Sequence, residues 1–172
     1  MPDKPLETTW VGTTLLPTLR RGRRLGRRML RGARSRVMPR TGVLGELPIS
    51  LPAVSALAAD AGAEVRRLDV VVFSVPPGSQ QIPADYVEPL VHAEQYSVPT
   101  VLAVTGGEDI EHPLAAVVTH MVTTDPSLVA LVEAFAGAER TAQLDATASA
   151  SSQAAALRRL TRVHTPVAVG VR

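Results

Sequence analysis

Glu108, Asp109, Glu111 and His112 fall within five consecutive positions, directly after a Gly106-Gly107 turn. Carboxylates and an imidazole are the side chains that carry general acid–base chemistry. Two apolar runs flank them, ThrValLeuAlaVal at 100–104 and ValValThrHisMetVal at 117–122. Uninterrupted β-branched and apolar stretches of this length read as buried parallel strands. In an open α/β sheet the loops at the carboxyl ends of the strands form the binding crevice. Position alone therefore makes Gly106, Gly107, Glu108, Asp109 and His112 in one loop, and Thr124 and Asp125 in the next, candidates to meet a ligand. A third loop leaves the apolar run Leu68 to Val75 through Pro76-Pro77-Gly78-Ser79, so Ser74, Gly78 and Ser79 face the same crevice. A Gly/Ser turn there can offer backbone N–H groups to an anion. The same residues are also an ordinary exit from a strand, and Asp125 ahead of Pro126 is equally a helix cap.

Other chemistries find no support. Asp109, Glu111, His112 and His120 suggest a metal cluster only by proximity, because HxxxH and HExxH spacings are missing and His120 lies inside a strand; no metal is expected. The chain has no cysteine, which excludes disulfides, thiolate catalysis and Cys-based zinc sites. No GxSxG elbow surrounds Ser74 or Ser79. Neither GxGxxG after the first strand nor GxxxxGK[ST] anywhere is present, so dehydrogenase and P-loop readings fail and no resident cofactor is expected.

Strand and helix patterns alternate along the chain. Thr41 to Ser50 reads as a weak first strand. Leu51 to Ala63 reads as a helix capped by Ser50, with Val54, Leu57, Ala58 and Ala61 on one face. A central strand follows at Leu68 to Val75, then a helix over Pro83 to Tyr96 that packs Tyr86, Val87, Leu90, Val91 and Glu94 on one side and kinks at Pro89. Strands at Val98 to Val104 and Val117 to Thr123 bracket a short helix, Glu108 to Ala116, broken by Pro113. Pro126 to Ala136 is a helix capped by Asp125 and stopped by Gly137. A short strand at Thr141 to Leu144 and an Ala-rich helix at Ala146 to Leu160 end the pattern. Alternation of this kind specifies βαβ units, hence an α/β, Rossmann-like or flavodoxin-like three-layer sandwich with a mostly parallel sheet.

The charge is divided unevenly. Residues 1–40 hold eleven Lys/Arg and two acids, whereas 41–172 hold seven Arg and fourteen acids. A basic N-terminal arm, 1–40, therefore precedes an acidic Rossmann-like domain, 41–172. Arg20, Arg21, Arg23, Arg24, Arg27, Arg28, Arg31 and Arg34 crowd the arm, and their mutual repulsion is relieved by a polyanion. Leu25, Met29 and Leu30 give it a thin apolar edge, while Gly22, Gly26 and Gly32 weaken an isolated helix, so the arm is expected to be disordered alone and helical when bound. Its partner is an anionic membrane surface or a nucleic acid; the apolar residues favour the membrane. With one Trp, two Tyr and two Phe, the chain lacks the aromatic platforms of a single-strand nucleic-acid binder. No apolar run reaches the roughly 18 residues of a membrane span, and the N-terminus reverses the order of a secretory signal. The expected location is the cytoplasm, with peripheral attachment to a membrane.

The order Pro99-Thr100-Val101, Glu108-Asp109-Ile110-Glu111-His112, Thr123-Thr124-Asp125 resembles the amino-terminal half of glycan-modifying glycosyltransferases of the spore-maturation type, over about residues 68–144. The resemblance implies the acceptor-facing first domain of a two-domain enzyme whose nucleotide-sugar donor is held mainly by the second. It also implies that Glu108, Asp109 and His112 stand at the cleft wall, with Glu108 or Asp109 as general base on an acceptor hydroxyl and His112 orienting it. The chain departs from the family at Gly106-Gly107, where Asn-Lys is usual, and at Leu144-Asp145-Ala146, where a Leu-Pro-Phe segment leads into the second domain. The expectation is a truncated or single-domain relative, inactive alone, that is anchored by its arm and completed by a second subunit with a donor domain. The competing expectation is a non-enzymatic adaptor whose arm binds membrane or nucleic acid and whose acidic domain binds a protein.

Overall fold

A computed structural model describes residues 40–51, 54–57 and 62–163. The arginines of the arm, apart from Arg40, and the tail from 164 lie outside the described residues. Six parallel strands form one sheet in the order β2-β1-β3-β4-β5-β6. β1 (Thr41–Leu44) lies between β2 (Val54–Ala56) and β3 (Val70–Ser74), and β4 (Thr100–Val104), β5 (His120–Thr123) and β6 (Thr141–Gln143) follow outward from β3. The sheet is therefore parallel throughout the described residues. Its first five strands have the doubly wound order of flavodoxin-like domains.

Strand periodicity distributes the core. Val71, Phe73, Leu102, Val104 and Met121 face one side of the sheet, where they meet Val65 of α1 (Gly62–Val65), Tyr86 and Ala93 of α2 (Ala84–Tyr96), Ile110 of α3 (Glu108–Glu111), Leu114 of α4 (Pro113–Val117) and Val132 of α5 (Val129–Ala136). Val70, Val72, Val101, Ala103 and Val122 face the other side, against Ile49, Leu144 and Leu157 and Leu160 of α6 (Ala150–Val163). Both faces are covered, which is why β3 is apolar from Val70 to Phe73 and β4 from Val101 to Val104. Layered α/β architecture thus stands as the sequence indicated.

Three local expectations are corrected. Within the proposed helix Leu51 to Ala63, residues 54–56 instead form an edge strand in register with Thr41, Gly42 and Val43. Four residues of β1 leave a free edge at Thr41 to Val43, and pairing there satisfies backbone groups that a helix at this point would leave open. Gly42 makes room on the helix side, since a Cβ on it would run into the ends of Leu57 and Leu68. The first strand itself ends at Leu44, because Gly45 adopts φ +83°. In α2 the inward residues are Tyr86, Pro89 and Ala93, not Val87, Val91 and Glu94. Pro89 is a core residue in a helix that continues for thirteen residues; burial of its ring offsets the hydrogen bond it removes.

Helix ends follow local chemistry. Asp125 accepts from the N–H and hydroxyl of Ser127 at 2.8 and 2.7 Å, with Pro126 next, so its capping role is the one observed. Its hydroxyl partner, and then the backbone N–H, hold its carboxyl below the ordinary carboxylate range. Gly137 stops α5 at φ +89°.

Candidate functional site

The chain leaves β1 toward β2 on one side and leaves β3 toward β4 on the other, so the β1/β3 boundary is the switch point at which such sheets open a crevice. At this boundary Gly45, Ser74 and Tyr86 pack against one another. Ser74, the last residue of β3, is buried. Tyr86 comes up from α2, and its hydroxyl donates to the Ser74 carbonyl at 3.3 Å. Burial pushes the Tyr86 phenol above its ordinary value, the neighbouring Asp85 charge adds to this, and the Ser74 side-chain hydroxyl beside it works against it. Gly45 closes over both: a Cβ there would lie 2.5 Å from Tyr86 Oη and closer to Ser74 Oγ. Sequence reasoning named Ser74 and missed the other two. Leu44-Gly45 at the end of an apolar run was the signal for one; nothing in the spacing of Tyr86 separates a residue at this boundary from a core residue.

In the loop after β3, Gly78 takes φ +73° with open space around it, so it is a glycine for the turn alone. Ser79 donates its N–H to the Pro76 carbonyl at 3.0 Å and its hydroxyl to the Gln81 carbonyl at 2.7 Å. The Gln81 carbonyl also meets His112 Nε2 at 3.1 Å, which ties the loop after β3 to the junction of α3 and α4.

That contact shows what His112 does. It is buried, and Nδ1 accepts the Leu114 N–H at 3.1 Å as the cap of α4. Nδ1 is therefore unprotonated, Nε2 carries the hydrogen given to Gln81, and both ring nitrogens are engaged. Asp109 is likewise buried and turned inward. One carboxylate oxygen accepts from Thr105 N–H at 2.6 Å, Thr105 Oγ1 at 2.8 Å and Gly106 N–H at 3.1 Å, holding the turn between β4 and α3 closed. Neither Gly106 nor Gly107 has positive φ. Glu108 opens α3, is exposed, and folds its carboxylate back over Gly106, where a Cβ would meet it at 2.5 Å. Of the three proposed catalytic groups, the structure brings all to one loop but leaves only Glu108 presented to solvent.

The other polar groups divide by position. Thr124 is half-buried beside the exposed Asp125, at the end of β5. His120 begins β5, at the opposite end of the sheet from these loops, with Nδ1 at 2.8 Å from Thr119 Oγ1. Among the described residues no three His, Asp or Glu side chains converge as metal ligands. No helix among them is long and apolar enough to cross a membrane. Fold and site together define a doubly wound α/β domain with polar loops at the carboxyl ends of its strands, where Glu108 and Glu111 of α3 are exposed acids. The chain matches no protein-family model, no curated protein and no solved structure.

Proposed function

We propose that this domain is the acceptor-facing half of a glycosyltransferase-like cleft, inactive alone, which an arginine-rich arm attaches to an anionic surface and a donor-binding subunit completes. The reading is supported by one observation above all: the exposed Glu108 carboxylate stands where β4 delivers it, on the carboxyl-end rim, while Asp109 and His112 are spent on the backbone that holds it there. Glu108 is the general base toward an acceptor hydroxyl. Asp109 and His112 then position it by fixing the loop. The donor sugar nucleotide belongs to the partner subunit.

Melting temperatures of the purified chain test this. Neutral disaccharides such as maltose or cellobiose should raise it in a dose-dependent way, by the equivalent of about 1.4 kcal/mol at ten times Kd, and UDP-glucose alone should not. A rise with UDP-glucose would instead place the donor site in this chain. No response to any sugar would favour the adaptor, for which the exposed apolar side chains of one helix layer, Val87, Val91, Val117, Leu131 and Phe135, are the specific observation.

A further inference from the structure

Charge is divided between the two ends of the sheet. On the carboxyl side Glu46 follows β1, Glu108 and Glu111 follow β4, Asp125 follows β5 and Asp145 follows β6, all of them exposed. No Lys or Arg among the described residues stands in these loops. The described arginines belong to the other end. Arg40 directly precedes β1, Arg66 and Arg67 lie in the turn that leads to β3, and Arg140 directly precedes β6. α6 starts beyond the carboxyl end of β6 and returns alongside Ala138–Arg140, which brings Arg158, Arg159 and Arg162 of its last turns to the amino side as well. Against these seven stand four acids, Glu64, Asp69, Glu94 and Glu139.

Several of these cations have nothing to bind within the domain. Arg66, Arg67 and Arg159 are exposed and make no side-chain hydrogen bond or ion pair among the described residues. Arg140 donates to the Thr119 and Val118 carbonyls at 2.7 and 3.0 Å, and a guanidinium keeps its charge in such bonds. From β1 to β6 is four strand spacings, about 19 Å, so the positive charge is spread across a broad end and not gathered in a pocket. A planar anionic surface meets such an array at many points, each basic residue near it adding roughly fivefold to binding. The acids of the opposite end are repelled by the same surface, which fixes the end that faces it. Lipid is favoured over nucleic acid by what stands among the arginines: Val91 in the second half of α2, and Val117 and Phe135 at the ends of α4 and α5, are half exposed or more. A lipid interface takes up apolar side chains beside basic ones, whereas a phosphodiester backbone engages the charges alone.

We infer that the amino end of the sheet, through Arg40, Arg66, Arg67, Arg140, Arg159 and Arg162, seats the folded domain on an anionic lipid surface with the carboxyl-end loops turned away from it. This rests on the reading that the chain attaches to an anionic surface, and adds where the domain touches it. An acceptor then reaches Glu108 from the aqueous side.

The test is co-sedimentation of the full chain with phosphatidylglycerol–phosphatidylcholine vesicles at about 0.1 M salt, where the screening length is about 10 Å. Replacing Arg66, Arg67 and Arg159 together by Gln should weaken binding roughly tenfold or more, and Lys at the same positions should restore it. Glu46→Gln with Glu111→Gln, at the far end, should alter it by less than about twofold. Because the chain has no cysteine, a fluorophore on Gln95→Cys, at the amino end of the sheet, should be quenched by spin-labelled lipid, and one on Ala146→Cys, beyond β6, should not. Wild-type binding by the Arg66, Arg67 and Arg159 variant, or stronger quenching at Ala146→Cys than at Gln95→Cys, would overturn the proposal. So would tighter binding to a DNA duplex than to vesicles, removed by the same three changes. Gln at Arg23, Arg24, Arg27 and Arg28 tests the arm separately: if that variant binds as the wild type while the three-residue variant does not, the arm reading fails and this one stands.

Discussion

The two ends of the sheet use their side chains in opposite ways. At the carboxyl end, polar groups are numerous and mostly engaged: Asp109, His112, Ser79 and Asp125 each close a turn or cap a helix. At the amino end, Thr100 and Thr119 bond reciprocally, each hydroxyl accepting the other's N–H at 2.9 Å, and Val91 and Val117 stand exposed on the helices beside them. Polar residues gathered in a loop thus say little about function until their backbone obligations are subtracted. Glu108 and Glu111 remain exposed at one end, and Val91 and Val117 at the other.

Substitutions can break this contrast, beginning with the strongest effect. Gly45→Ala combines a positive φ with overlap on Ser74 and Tyr86 and should cost about 2–4 kcal/mol. Tyr86→Phe removes one of the two overlapping oxygens, so the double variant should lose measurably less than the sum of the single losses in urea unfolding. Strict additivity would show that the two do not touch.

Asp109→Ala should cost about 2–3 kcal/mol by removing the buried carboxylate that accepts three hydrogen bonds from Thr105 and Gly106. Glu108→Gln should change stability by less than about 0.5 kcal/mol, as an exposed site does. Calorimetry of the pair separates a structural from a presented carboxylate. Equal effects would erase the distinction on which the site rests.

Tyr86 adds a pH dependence. Its folded-state pKa is raised above 10.0, so its neutral form contributes stability that is fully present below pH 10 and is lost as pH rises through the raised value. The urea midpoint should therefore fall more steeply above pH 10 in the wild type than in Tyr86→Phe. The arm supplies the smallest effect on the fold and a large one on attachment. Replacing Arg23, Arg24, Arg27 and Arg28 by Gln should leave the melting temperature unchanged and abolish salt-sensitive binding to anionic vesicles.

Much of the architecture was legible because parallel strands buried on both faces must be continuously apolar, as Val70 to Phe73 and Val101 to Val104 are. The strand Val54–Ala56 was not, since Val54, Leu57, Ala58 and Ala61 have helical spacing and only the free edge of β1 decides otherwise. The face of α2 was misread because Pro89 looks like a breaker and proves to be core, which rotates Val87 and Val91 outward. In the loop, sequence brought Glu108, Asp109 and His112 together but could not rank them. Which carboxylate meets Thr105 and Gly106 N–H groups depends on the turn's path, not on residue type.

Mapping backbone amide shifts while titrating a neutral disaccharide into the full chain addresses the sugar-crevice reading directly. Perturbations should gather at residues 44–46, 73–79 and 105–112 and be absent around Val91 and Val117, with Glu108→Gln weakening the response. Shifts confined to the exposed residues of α2 and α4, or none at concentrations that saturate weak sugar sites, would contradict it.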